Sequence, residues 1–131
     1  MIDEPKWLER ADVIQLHEEQ ISLYGGLSGV LNDGAIASTL ARPKNLSAYG
    51  RPDLFDLAAS YAFGFARNHC FVDGNKRIAF MSAAFFILDN GYLMRSNVEK
   101  DAEIMEKVAA GEIGETALAD WFRQRSIFLD V

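Results

Sequence analysis

An imidazole, a carboxylate, a glycine and two cations fall within nine consecutive residues of this chain, His69 to Arg77. A hydroxyl that attacks phosphorus needs a base to take its proton, and a histidine side chain titrates in the right range. A nucleotide triphosphate also needs a divalent metal, and Asp73 is the only carboxylate in the segment that can help to hold one. The residue types therefore suit phosphorus chemistry on a nucleotide.

An uncharged apolar run, Ile78 to Leu88, follows the polar cluster directly and is too long for an ordinary strand. It predicts a buried central helix, with the cluster in the loop that enters it. The first N–H groups of a helix have no internal partners and carry the positive end of its dipole. Gly74 lets backbone approach a ligand closely, and Lys76 and Arg77 add positive charge. The segment is thus a candidate phosphate site.

Each of these residues also has a purely structural interpretation. A lone histidine beside an apolar element, such as His69, is often a satisfied structural residue. Asp73 can cap the following helix, and Lys76 and Arg77 can form a solvated first turn. Cations are unfavourable at that end of a helix, however, which argues for an anion nearby. The combination, rather than any single residue, favours a functional site.

The segment resembles the motif of the Fic/Doc family: His, any residue, Phe, any residue, Asp or Glu, Gly or Ala, Asn, Gly or Lys, Arg. The similarity extends over about residues 6 to 125. Further landmarks that match the family are Tyr24-Gly25-Gly26, Gly29 to Gly34, Leu40 to Pro43, Asn68, and Asn90-Gly91-Tyr92. Cys70 stands where Pro is common and is interpreted as a small apolar filler.

The resemblance implies a compact, all-α Fic/Doc-like domain with its buried central helix after the motif loop. It also implies ATP as substrate and Mg²⁺ as cofactor. It assigns these roles: His69 as general base for a protein hydroxyl, Asp73 as magnesium ligand, Gly74 and Asn75 shaping the anion pocket, Lys76 and Arg77 binding phosphates, and Phe71 anchoring the loop. Asn75 and Arg77 count with His69 and Asp73 as catalytic residues.

Lys76 in the Gly-or-Lys position is typical of the death-on-curing, or Doc, branch. Phe80 stands where Fic-type enzymes usually carry a second Arg. These two features imply transfer of the γ-phosphate rather than of AMP. The implied protein is the toxin of a type II toxin–antitoxin pair, a protein kinase acting on a threonine of elongation factor Tu and arresting translation. AMP transfer to a protein hydroxyl and a catalytically inert binding or regulatory subunit are the alternatives.

Control of the activity is expected to come from another chain. Fic proteins often carry an inhibitory segment in which Glu precedes Gly or Asn, and no Glu of this sequence does so. We therefore expect an antitoxin whose flexible segment covers the site. By analogy with the flap that lies upstream of the motif in this family, Lys44 to Arg51 is predicted to contact the target protein.

Composition narrows the remaining possibilities. The 131 residues suggest one domain, residues 1–131. A net charge of −6 argues against direct nucleic-acid binding. The N-terminus lacks signal-peptide features, and the run from Ile78 to Leu88 is too short to span a membrane. A single cysteine suits the reducing cytoplasm, and two histidines with one cysteine exclude a closed zinc site made of these residues alone.

Apolar periodicity and capping signals predict the other elements. Asp33 is the expected N-cap of a short helix that Pro43 ends. His17 lies among apolar positions and is interpreted as structural, holding a backbone carbonyl or a neighbouring helix. The predicted helices are 10–24, 34–41, 53–67, the central helix to about 89, 97–110 and 115–125. Residues 6–8 are a strand or an approach to the first helix, 92–94 are extended, and the apolar tail 127–129 packs on the body or meets a partner.

Overall fold

A computed structural model describes residues 4–130, which form six α-helices and one two-stranded antiparallel sheet. The elements are α1 (Arg10–Tyr24), α2 (Asp33–Tyr49), α3 (Leu54–Arg67), α4 (Asn75–Asp89), β1 (Tyr92–Met94), α5 (Val98–Ala109), α6 (Glu115–Arg125) and β2 (Ser126–Phe128). The predicted all-α class is confirmed. The boundaries of α1, α3 and α6 agree with the predicted helices to within a residue.

Helices α3 and α4 form the centre of the molecule, and the other helices pack around them. A reciprocal capping box between Asp53 and Asp56 starts α3. Small residues along α3 let its neighbours approach closely, and two of its four aromatic residues, Tyr61 and Phe65, are fully buried. Burial of each such side chain contributes about 1.5–3 kcal/mol. Because α3 delivers the chain to His69 and α4 begins at Asn75, within the motif, the motif loop joins the two most buried helices.

Helix α2 differs from the prediction at both ends. Its N-cap is Asn32 rather than Asp33, and the Asn32 side chain accepts from the Ala35 N–H at 3.0 Å. The helix also continues through Pro43 to Tyr49 instead of ending near residue 41.

Tertiary contacts explain why Pro43 does not end α2. A proline inside a helix removes one backbone bond and costs about 3 kcal/mol. Here the Pro43 ring is buried, and the preceding Arg42 is fixed by two partners. Its guanidinium donates to the Ser60 carbonyl at 2.6 Å and to the Glu115 carboxylate at 2.7 Å. These contacts on α3 and α6 hold the second half of α2 in place.

Helix α5 confirms its predicted cap but corrects its predicted inner face. The Asn97 side chain accepts from the Lys100 N–H at 3.1 Å. Ala102, predicted to face inward, is exposed, whereas Asp101 and Ile104 are buried. Together with Met105 and Val108 these two follow a spacing of three and four residues, so the buried stripe lies beside the position of Ala102.

The C-terminal tail packs on the body as a strand. β2 pairs with β1 in a register that places Tyr92 opposite Phe128 and Leu93 opposite Ile127. The extended prediction for 92–94 is therefore confirmed. Residues 6–8 are the approach to α1, and Leu8 is buried with its N–H donating to the Tyr61 hydroxyl at 3.1 Å. Within residues 4–130, no helix has the length and apolar composition needed to cross a membrane.

Candidate functional site

The motif loop is closed by the side chain of Asn75. Its Oδ1 accepts from the Phe71 N–H at 3.0 Å, and its Nδ2 donates to the Phe71 carbonyl at 2.9 Å. The Phe71 ring is buried, which confirms its predicted role as the anchor of the loop. The amide of Asn75 is thus engaged with backbone, and it shapes the loop by fixing the turn that leads into α4.

His69 lies exposed on this loop with an unusual backbone. Its φ of 48° is the only positive φ outside glycine among residues 4–130. For an ordinary residue that conformation costs about 1–2 kcal/mol, so its neighbours must hold it. The Cys70 carbonyl accepts from Leu31 N–H at 2.9 Å and Asn32 N–H at 3.1 Å. On the other side, the Asn68 amide donates to the Thr39 hydroxyl at 3.0 Å.

Cys70 is fully buried beside His69, and burial raises the pKa of its thiol. A buried, protonated thiol is a poor nucleophile. The position agrees with the interpretation of Cys70 as an apolar filler.

Asp73 presents an exposed carboxylate whose oxygens each accept one backbone N–H. Oδ2 accepts from Leu27 at 3.0 Å and Oδ1 accepts from Gly74 at 2.8 Å. These two bonds, with the charge of Arg77, hold the pKa of Asp73 below its ordinary value. The alternative that Asp73 caps α4 is wrong, because the N-cap is Gly74 and it makes no side-chain capping bond.

The donor set suits a metal ion that arrives with a nucleotide. In residues 4–130, no three His, Cys, Asp or Glu side chains are grouped to hold a metal. Magnesium at nucleotide sites usually takes one or two carboxylates and completes its shell with phosphate oxygens and water. Asp73 is ionised and exposed, and each of its oxygens keeps a lone pair. This residue therefore fits the predicted role of magnesium ligand.

The N-terminus of α4 carries cations and no acidic residue in its first turn. Both cations have partners. Lys76 Nζ lies 2.8 Å from Glu106 Oε1 on α5, in an exposed ion pair. Arg77 Nη1 donates to the carbonyls at the end of α1, those of Gln20 and Gly25, at 3.2 Å each. Because both cations have partners within the protein, their charge alone does not require a nearby anion, while the N–H groups of the turn have no side-chain cap.

Helix α1 and the turn after it contact the buried side of the motif loop. His17 is buried, its Nε2 lies 2.8 Å from the Asp73 carbonyl, and its ring stacks on Phe71 with 3.9 Å between centroids. The prediction that His17 holds a backbone carbonyl is confirmed. Gly26, at φ 115°, passes so close to Asp73 that an added Cβ would lie 2.8 Å from its Oδ2. A glycine is therefore required at this position.

Known proteins resemble this chain over most of its length. A model of the Fic/DOC family matches residues 7–87. The chain belongs to the Fic/Doc family. It is 37% identical over 114 residues to "Protein kinase doc" of Escherichia phage P1, covering 86% of this chain and 90% of that protein. It is also 34% identical over 109 residues to "Toxin Doc" of Mycolicibacterium smegmatis, covering 79% and 81%.

The segment from Lys44 to Arg51, which is predicted to contact the target protein, lies apart from the motif loop. Leu46 and Arg51 of this segment line a surface hollow with Asp56, which lies in the first turn of α3. The motif follows the other end of α3, about 20 Å away at 1.5 Å per residue. This segment therefore does not cover the motif loop, and its contact with the target protein stays a prediction. The stretch that does lie on the motif loop is 27–32, which bridges to it through Val30 and Phe71.

Thr39 and Leu27 are the residues of this site that sequence reasoning missed. Both act on the motif through hydrogen bonds from distant parts of the chain, one at a buried hydroxyl and one at a backbone N–H. The landmark Tyr24-Gly25-Gly26 was the available signal for the second, because it marked the turn from which Leu27 N–H approaches Asp73.

Proposed function

We propose that this Fic/Doc protein is a Doc-type toxin that transfers the γ-phosphate of ATP to a hydroxyl group of another protein. The similarity to "Protein kinase doc" and "Toxin Doc" over most of the chain supports this reaction and this biological role. The target that we propose is a threonine of elongation factor Tu, whose modification would arrest translation in the cytoplasm. The cognate partner is an antitoxin whose flexible segment covers the site.

The observation that carries the proposal is the loop that joins α3 to α4. It exposes His69 and the ionised Asp73 directly before a helix N-terminus that has no side-chain cap. Unpaired N–H groups at such an end bind phosphate oxygens. An imidazole and a carboxylate on the same short loop are the groups that phosphoryl transfer to a hydroxyl needs.

The proposed step follows from these positions. His69 accepts the proton of the target hydroxyl as its oxygen forms a bond to the γ-phosphorus, and the bond from that phosphorus to the β,γ-bridging oxygen breaks, releasing ADP. Bound Mg²⁺ would neutralise charge on the phosphates, and Asp73 would hold it. Gly74 and Asn75 shape the anion pocket, and Lys76 and Arg77 bind the phosphates.

Transfer of the γ-phosphate, rather than of AMP, rests on the side chains of α4. Phe80, three residues after Arg77, is partly buried and packs against the core. An aromatic ring here cannot replace the second arginine with which Fic-type enzymes bind phosphate. Lys76 also fills space that Gly leaves open in those enzymes. Both features disfavour AMP transfer.

Two parallel labelling reactions test the proposal. The protein is incubated with either purified elongation factor Tu or a bacterial extract, and with ATP labelled at either the γ- or the α-phosphate. Variant His69→Ala is the test, and Lys100→Ala, an exposed change on α5, is its control. We expect γ label on the target with the wild type and Lys100→Ala, and none with His69→Ala.

The other outcomes are equally informative. Transfer of the α label would contradict the argument from Lys76 and Phe80 and favour AMP transfer. Labelling of another protein in the extract, with elongation factor Tu unlabelled, would keep the kinase and replace the target. Transfer of neither label would contradict the enzyme and favour an inert binding subunit. Full toxicity when the neighbouring gene product is co-expressed would contradict control by an antitoxin.

A further inference from the structure

His17 lies beneath the motif loop and touches it at two points. It is 2% exposed, and its ring stacks on Phe71 at an interplanar angle of 11°. Its Nε2 lies 2.8 Å from the Asp73 carbonyl oxygen. Because a carbonyl only accepts hydrogen bonds, Nε2 must carry the hydrogen. The Asp73 carbonyl is thus directed toward the buried side of the loop.

The peptide between Asp73 and Gly74 is the part of the loop most able to rotate. Gly74 has φ 74°, and glycine adopts positive and negative φ with similar ease. In a trans peptide the N–H points opposite to the carbonyl. With the carbonyl on His17, the Gly74 N–H instead meets Asp73 Oδ1 at 2.8 Å. Rotation of this peptide would break both bonds and turn the carbonyl oxygen toward the solvent side of the loop, where it would repel an anion.

We propose that His17 is a positioning residue that fixes the Asp73–Gly74 peptide in the orientation that binds the magnesium nucleotide. The inference rests on the proposed function, and it adds a residue outside the motif whose task is to hold the backbone of the metal-binding aspartate. The hydrogen-bond donor, rather than the bulk of the ring, supplies this control.

Different groups hold the side chain and the backbone of Asp73. Its carboxylate is held by the Leu27 N–H, whereas its carbonyl is held by His17. Both hydrogen bonds come from α1 and the turn that follows it. Gly26 also lies against one side of the carboxylate.

Two substitutions separate the donor from the ring. His17→Gln keeps an N–H donor at about the same reach but loses the stacking on Phe71, whereas His17→Phe keeps an aromatic ring and loses the donor. We expect His17→Phe to raise the KM for ATP about tenfold, with a smaller change in kcat, and to weaken binding of a magnesium-loaded, non-hydrolysable ATP analogue to the same extent. His17→Gln should recover most of that binding even if it melts at a lower temperature.

Nuclear magnetic resonance gives a readout that does not need activity. The amide resonance of Gly74 should move in His17→Phe and return toward its wild-type position in His17→Gln. In the wild type, the His17 ring should carry an exchange-protected hydrogen on Nε2. A ring protonated only at Nδ1 would overturn the proposal, and this measurement holds even if neither variant folds.

The outcomes distinguish this inference from the proposed function. Equal binding by His17→Phe and the wild type, or equal loss in both variants, would overturn the positioning role while the wild type remains an active kinase. If the wild type transfers no label but binds the analogue, the proposed kinase activity is refuted. Analogue binding by the two His17 variants then still decides the positioning role. A wild type that binds no nucleotide would refute both.

Discussion

The Thr39 hydroxyl is expected to affect catalysis although it lies outside the motif. It is fully buried on α2 and accepts from the Asn68 amide at 3.0 Å. Asn68 directly precedes His69, whose backbone is held at φ 48°. The substitution Thr39→Val removes this hydrogen bond while keeping the branched shape of the side chain.

The expected fall in kcat follows from two free energies of similar size. A hydrogen bond of this kind contributes about 1 kcal/mol net. The left-handed conformation of His69 costs about 1–2 kcal/mol, so losing the bond removes a large part of what holds it. If about 1 kcal/mol is lost from the reactive conformation, kcat falls roughly fivefold. The KM for ATP should not change, because His69 is expected to act on the protein hydroxyl.

Steady-state phosphate transfer to the labelled target measures this effect. Thr39→Ser restores a hydroxyl and should restore most of kcat. Ser38→Ala, which deletes an exposed hydroxyl on the same helix, is the control and should behave as the wild type. An unchanged kcat in Thr39→Val, or a loss that Thr39→Ser does not repair, would refute the view that this bond holds His69.

Three further predictions concern stability. Gly64→Ala places a Cβ 2.6 Å from an α2 methyl group and should cost about 1–3 kcal/mol in denaturant unfolding, partly offset by helix propensity. Gly114→Ala lies in open space but at the N-cap of α6, where Ala is less favourable than Gly, and it should cost less. Arg123→Gln breaks ion pairs with three carboxylates and should lower stability by about 1 kcal/mol, less at high salt, whereas exposed Arg95→Gln should have no effect. Burial raises the pKa of Tyr61 to about 12. The unfolded chain therefore loses this proton first, so stability should fall from about pH 10 to 12 in the wild type but not through this group in Tyr61→Phe.

Most helices were predictable because their boundary signals are local. Gly25 ends α1, Asp53 starts α3 and Asn97 starts α5, each within one turn of the residues it caps. Pro43 is also a local signal, and it misled. The contacts that keep α2 intact come from α3 and α6, and no pattern within α2 announces them.

The same distinction between local signals and contacts from distant residues applies to the candidate site. The motif residues stand together in the sequence, so their proximity and the burial of Phe71 could be predicted. The partners of Asp73 and Asn68 could not, because the bonds from Leu27 and Thr39 join residues 46 and 29 positions apart. One of these bonds uses a backbone N–H, which every residue except proline carries, so side-chain identity contains no trace of it.

The two cations of the motif differ in how firmly they are held, and this difference bears on nucleotide binding. The Lys76 pair with Glu106 is exposed, and such pairs contribute at most about 1 kcal/mol. Phosphate oxygens can therefore replace Glu106 at little cost. Arg77 is bound by carbonyls at the negative end of the α1 dipole, which offsets its unfavourable place at the start of α4. Because these bonds use only Nη1, the guanidinium can meet phosphate with its remaining donors without leaving α1. We therefore expect Arg77 to be placed before the nucleotide arrives and Lys76 to move when it does.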